Sequence, residues 1–224
     1  VGFYLGYSEM CFDDTGKKRR FNTAILVNQQ AEIVGKYRKV HLPGHATYEP
    51  EREWQHLEKG YFEVGDLGFP VFRTMGGVMG MCLCNDRRWP ETWRVMGMQD
   101  VDIVMLGYNT PVYNSIAPES PHLRMFHNHI SMQAGAYQNG TWAVGTAKAG
   151  MEGGVDMMAG SCIIAPTGEI VALATTSEDE VIVAECDLDK GRYIRDTVFN
   201  FAQHRRIENY GVITERTEAI APPE

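Results

Sequence analysis

The sequence predicts a layered α/β fold, on three observations. Short strand-like runs recur through its 224 residues, two pairs of them are joined by turn residues, and amphipathic stretches of helical length lie between them. The strand-like runs are residues 2–8, 22–27, 32–37, 78–84, 102–106, 141–146, 161–165, 170–174 and 181–186. Asn28-Gln29-Gln30 joins one pair and Pro166-Thr167-Gly168 another, so the sheets are expected to be at least partly antiparallel. Helices are expected over 90–98, where Pro90 sits at a permitted first-turn position, over 121–139, with its apolar stripe, and over 189–199. No Pro/Ser-rich linker or internal repeat divides the chain, which reads as one domain, 1–224, with 210–224 as a C-terminal tail that is loose or docked on a neighbour. The chain opens on Val1 and at once reads as strand, so it is expected to start in mid-domain.

Composition narrows the function classes. A hydrophobic content of 44% with 22% charged residues is that of an ordinary globular chain with a substantial core. The net charge of −8, with Lys17-Lys18-Arg19-Arg20 as the one basic cluster, argues against nucleic acid as a partner, because such affinity comes from basic neutralisation of phosphates. That cluster reads as a solvated hairpin end. No apolar run reaches the roughly 18 residues of a membrane span, so no membrane partner and a cytoplasmic location are expected. Five dispersed cysteines (Cys11, Cys82, Cys84, Cys162, Cys186) in a chain of this length point to free thiols in a reducing compartment rather than a disulfide framework.

The most informative stretch is residues 79–94. An alternating apolar strand runs into Cys84, a polar turn follows, and a Pro-started helix begins within six residues. Such an elbow presents a side chain at the sheet end, beside backbone N–H groups that can hold an oxyanion. Cys82 points to the same side of the strand but lies within the sheet, and is assigned to core packing. Spacing alone would equally allow Cys84 to be a small buried apolar residue. A second segment, Gly35-Lys36-Tyr37-Arg38-Lys39-Val40-His41-Leu42-Pro43-Gly44, leaves its strand through a His and a Pro-Gly turn. A lysine near a thiol favours the thiolate and can stabilise a tetrahedral intermediate. By itself the segment would more often be an exposed charged edge.

Together these motifs become specific. Tyr37-Arg38-Lys39-Val40-His41-Leu42, then Glu63-Val64-Gly65-Asp66, then Cys84-Asn85-Asp86-Arg87-Arg88-Trp89-Pro90-Glu91 resemble, in order, the lysine and cysteine signatures of the nitrilase superfamily of carbon–nitrogen hydrolases. Residues 85–94, 107–111 and 131–140 resemble in particular the N-carbamoyl-D-amino-acid hydrolases. The likeness covers essentially the whole chain. It implies a four-layer α-β-β-α sandwich, truncated at the N-terminus, and a homodimer or homotetramer with the tail reaching across the interface.

By the same resemblance Cys84 is the nucleophile and Lys39 its partner in a Glu-Lys-Cys triad, whose glutamate would belong to an earlier element that these residues do not include. Glu9 is not assigned to that role. Glu58 matches a second glutamate of such sites, positioning Lys39 or orienting water; without the resemblance it reads as an exposed helix carboxylate. Arg87 and Arg88 offer planar forks suited to a substrate carboxylate. Asn85, His56, Asn109 and Thr110 match further substrate-contacting positions, and His41 and His127 match histidines around the pocket. No metal or other cofactor is expected: the His41/His45 and His127/His129 spacings lack a completing ligand, and no Gly-rich phosphate loop is present. The expected reaction is hydrolysis of a small N-carbamoyl-D-amino acid. An aliphatic amidase or β-ureido acid hydrolase, or an inert fragment, are the alternatives.

Overall fold

The computed structural model describes residues 1–52, 54–113 and 119–223. Strands β1 (Phe3–Phe12), β2 (Lys18–Val27) and β3 (Ile33–Arg38) form an antiparallel sheet in that order. Strands β4 (Val71–Thr74), β5 (Gly77–Leu83), β6 (Ile103–Tyr108), β7 (Trp142–Ala147), β10 (Cys162–Ile164) and β11 (Ile170–Leu173) form a second sheet of order β11-β10-β7-β6-β5-β4. Within it β5, β6 and β7 run parallel, and the flanking pairs are antiparallel. A small separate hairpin, β8 (Met151–Glu152) and β9 (Val155–Asp156), follows β7.

Strand β5 explains the layering. All seven of its residues are buried, the signature of a strand covered on both faces rather than one. On one side lie helices α2 (Pro90–Gly97) and α3 (Pro121–Asn139), which place Trp93, Met96, Met132 and Ala136 in the core. On the other lies the small sheet, which adds Ala24, Leu26 and Tyr37 to the same core. Tyr4 bolts the two sheets together: its hydroxyl donates to the Cys82 carbonyl (3.2 Å) and accepts from the Gly107 N–H (3.2 Å). The opposite face of β1 shows Phe3 and Leu5 at 49% and 48% exposure. Among the described residues, therefore, the expected α/β sandwich is built as helix, sheet and sheet, with no helix layer over that outer face.

Both hairpins read from the sequence form, and α3 has the expected bounds. Ser120 caps α3 by accepting from the Leu123 N–H, Pro121 opens it, and Gly140 closes it with a left-handed φ of 57°. The basic cluster lies at and beyond a turn over residues 13–17, with Arg19 held by Glu63 at 2.6 Å.

Three expectations are corrected. Residues 181–186 form no strand: Val181 and Val183 are exposed while Ile182, Ala184 and Cys186 rest on the Trp142 cluster, but no described strand lies alongside to pair with. The single helix expected over 189–199 is instead a 3₁₀ turn (Leu188–Gly191) followed by α4 (Arg192–Asp196), and a separate helix, α5 (Phe201–His204), comes after it. Thr197 leaves helical geometry and the Asn200 side chain caps α5 instead. The tail holds a short helix, α6 (Gly211–Glu215), where the sequence shows none, and its last residue, Glu224, lies outside the described residues. Strand β4 was not foreseen at all. No described helix is long and apolar enough to cross a membrane.

Candidate active site

Parallel strands collect loops at their carboxyl ends, and crevices there are the common place for ligands in α/β sheets. Here β5 delivers Cys84 and β6 delivers Asn109 and Thr110 to such a crevice, a cavity of about 300 Å³. Its wall also holds Asn85, Arg87 and Arg88 from the turn after β5, His56 and Trp54 from the 43–56 segment, and Tyr113, Glu119 and Arg124.

Cys84 begins a 3₁₀ turn (Cys84–Arg88) with φ of 46°, a left-handed conformation uncommon for a side-chain-bearing residue. Strain of this kind concentrates at functional turns. Cys82, as expected, is fully buried, and burial pushes its thiol well up from the ordinary value. Cys84 is only partly buried and faces the cavity.

Lys39 follows the end of β3 and is buried, its side chain 1% exposed. Its ammonium donates to Glu58 Oε1 at 2.6 Å, and the same oxygen accepts from the Asn22 amide at 3.0 Å. Glu58 opens the short helix α1 (Glu58–Tyr61), and its Oε2 lies 3.5 Å from His56 Nε2. Burial works against ionisation of Glu58, but His56, the Lys39 charge and the Asn22 amide outweigh it and bring the carboxyl down to about 2. Glu58 is thus a fixed anion that holds Lys39, and His56 links the pair to the cavity wall.

The two arginines diverge. Arg87 is buried and saturated: Nε donates to Asn128 Oδ1 (2.7 Å), one terminal nitrogen to the Cys84 carbonyl (2.6 Å), the other to the Thr110 hydroxyl (3.1 Å), and the guanidinium stacks on Tyr108. Arg88 is half-buried in the cavity and makes no ion pair among the described residues. Burial, with the like charges of Arg87 and Arg124, lowers its pKa from the ordinary value. Arg124 is paired with Glu119 at 3.2 Å and donates to the Pro111 carbonyl at 2.9 Å.

Cys84, Asn85, Arg87, Arg88, His56, Asn109 and Thr110 therefore converge on one cavity, with Lys39 and Glu58 behind His56. His41 and His127 do not line it. His41 hydrogen-bonds Asp86 and stacks on Trp89 at 4.8 Å, while His127 is bonded to Glu119. Sequence reasoning missed Trp54, Tyr113, Glu119 and Arg124, which carry no motif. It also gave Asp86 no role although that residue stands two places beyond Cys84. Glu9 lies on the outer side of the small sheet, where it binds Arg38, Lys36 and Thr23.

Comparison with known proteins agrees with this architecture. A family model described as carbon-nitrogen hydrolase matches residues 2–196. A nitrilase of Pyrococcus abyssi is 30% identical over 190 residues, 85% of this chain and 63% of that protein. The N-carbamoylputrescine amidase of Oryza sativa is 29% identical over 210 residues, 90% of this chain and 66% of that protein. That of Solanum tuberosum is 29% identical over 187 residues, and the chain spans 59% of its length. Among solved structures, a carbon-nitrogen hydrolase of Helicobacter pylori superposes with a TM-score of 0.78 at 26% identity, over 95% of this chain and 71% of that one. Nit3 of Saccharomyces cerevisiae, 22% identical, shares the fold with a TM-score of 0.67 over 90% of this chain and 66% of its own. With the model match spanning residues 2–196, and a buried lysine–glutamate pair set behind a cysteine elbow at the sheet end, the chain belongs to the carbon–nitrogen hydrolase family of the nitrilase superfamily.

Proposed function

We propose that the protein hydrolyses N-carbamoyl-D-amino acids to the free amino acid, ammonia and carbon dioxide. The observation that carries this reading is Arg88. A half-buried guanidinium without a carboxylate partner among the described residues, in the cavity that holds Cys84, is matched by a substrate carboxylate. Arg87 and Arg124, already paired, frame the cavity instead. The carbamoyl group is supported by the N-carbamoylputrescine amidases among the relatives, although a cationic amine would meet Arg88 unfavourably. Preference for the D series rests on the likeness of residues 85–94, 107–111 and 131–140 to the D-carbamoylases.

In this reading the Cys84 thiolate attacks the carbamoyl carbon. Lys39 and the N–H groups at the start of the 3₁₀ turn stabilise the oxyanion, and the proton given up by the Cys84 thiol is delivered to the departing nitrogen. As the oxyanion collapses the C–N bond breaks and ammonia leaves. Water then cleaves the thioester-like carbamoyl intermediate, and the N-carboxy amino acid released loses carbon dioxide. Among the described residues, Glu119 in the cavity wall is engaged by Arg124 and His127, and Glu58 behind His56 by Lys39. We therefore assign activation of that water to neither of them but to the glutamate that the resemblance to a Glu-Lys-Cys triad implies.

The test is Arg88→Ala in the full-length protein. Loss of a charge-assisted pair worth about 1.5–3 kcal/mol raises KM for N-carbamoyl amino acids by about 10- to 150-fold and leaves a simple uncharged amide unaffected. An equal effect on both substrates would contradict carboxylate recognition. A β-ureido acid carries the same carboxylate, and the relative kcat/KM for α- and β-ureido acids separates those two readings.

A further inference from the structure

Asp86 is fully buried and accepts four hydrogen bonds. Its Oδ2 takes the Tyr37 hydroxyl at 2.6 Å and the Leu83 N–H at 3.1 Å; its Oδ1 takes the His41 N–H at 2.8 Å and His41 Nδ1 at 2.9 Å. Four donors fill the acceptor sites of a carboxylate, which leaves it no lone pair with which to take a proton from water. Asp86 is therefore not a substitute for a general base.

The identity of its donors shows what it does. Leu83 immediately precedes Cys84, while Tyr37 and His41 stand two residues to either side of Lys39. The Tyr37 hydroxyl also accepts from the Val40 N–H at 3.2 Å, so three of the residues around Lys39 lead to one carboxylate. A second tether spans the same gap, from the Asn85 amide to the His41 carbonyl at 3.2 Å. His41 is held flat against Trp89, its ring 9° from parallel, and against Phe69 at 5.8 Å. On the other side of Cys84, Arg87 grips the Cys84 carbonyl at 2.6 Å. The left-handed backbone of Cys84 is thus bracketed by a carboxylate before it and a guanidinium after it. Such a conformation persists only when its surroundings over-determine it.

We propose that Asp86 is a positioning residue that locks the Cys84 turn to the strand end bearing Lys39, setting the thiol and the ammonium in register for attack. This rests on the reading that Cys84 is the nucleophile and Lys39 its partner. It predicts that weakening Asp86 impairs the reactivity of Cys84 through Lys39, rather than through loss of the fold.

The experiment follows alkylation of Cys84 by iodoacetamide across pH, by peptide mass mapping, in the folded full-length protein and its Asp86→Asn, Tyr37→Phe, Lys39→Met and Asp86→Asn/Lys39→Met variants. Asp86→Asn slows alkylation at neutral pH by about tenfold, as a thiol with a less well placed cation must, and moves its pH profile upward. Tyr37→Phe, which removes one donor and keeps the ring, does the same to a smaller extent, and decides the matter alone if Asp86→Asn does not fold. In the Lys39→Met background Asp86→Asn has no further effect. Wild-type profiles in folded Asp86→Asn and Tyr37→Phe, or an undiminished effect of Asp86→Asn without Lys39, would overturn the proposal. A wild-type Cys84 that alkylates no faster than Cys11 would instead remove the nucleophile reading on which it rests.

Discussion

Arg87 and Arg88 leave one turn with different surroundings, and the difference is physical. Arg87 meets three acceptors and an aromatic face; Arg88 meets open cavity. Arg87→Ala is accordingly expected to act on stability: it strands the buried Asn128 and Thr110 partners, costing about 1–3 kcal/mol for each group left unsatisfied, and is read as a fall in Tm. An unchanged Tm would contradict the saturated geometry. Glu58 makes a pH prediction. Its folded pKa of about 2 lies below the ordinary 4.5, so its contribution to stability is complete above about pH 4.5 and is lost as pH falls toward 2. Glu58→Gln should flatten the stability curve in that window by up to about 1.4 kcal/mol per pH unit, measured by denaturant unfolding at a series of pH values. An unaltered slope would mean that Glu58 is not held ionised by Lys39 and His56. Both residues were visible in the sequence as motif matches. Which arginine goes without an ion pair among the described residues was not, because that depends on Asn128 and Thr110, 41 and 23 residues away along the chain from Arg87.

At the scale of elements, the core strands and α3 were legible because their signals are local: alternation or continuous apolarity along the strands, and an apolar stripe along 121–139. Residues 181–186 carry the same alternation, yet form no strand, because a strand needs a neighbour and periodicity does not report one. The 189–199 stretch is helical only over part of its length, since the chain leaves helical geometry at Thr197, and Asn200 caps the separate helix that follows. The packing of α2 against α3 has its own test. A Cβ at Gly135 would lie 2.3 Å from the Trp93 ring, which is only 2% exposed and cannot retreat. Gly135→Ala should therefore destabilise by about 1–3 kcal/mol despite the better helix propensity of alanine, giving a lower Tm. A neutral or stabilising result would show that the two helices separate more easily than this packing allows.

On the scale of the whole molecule, two sheets share one core, and the site lies where the parallel strands end. That placement makes the turn after β5, the loop after β6 and the segment after β3 meet at one cavity. Ordered motifs made the family readable from sequence; the cavity's aromatic and acidic lining at Trp54, Tyr113 and Glu119 was not, since nothing in their local sequence distinguishes them. The chain spans 63% of the Pyrococcus abyssi nitrilase and 59% of the potato N-carbamoylputrescine amidase, so turnover is best measured on the full-length protein. The most direct measurement is ammonia release from paired N-carbamoyl-D- and N-carbamoyl-L-amino acids, with Cys84→Ala as the control. The account predicts release from the D series, abolished by Cys84→Ala in a protein that remains folded. Release from neither series by a folded wild type, or release undiminished without the Cys84 thiol, would contradict it.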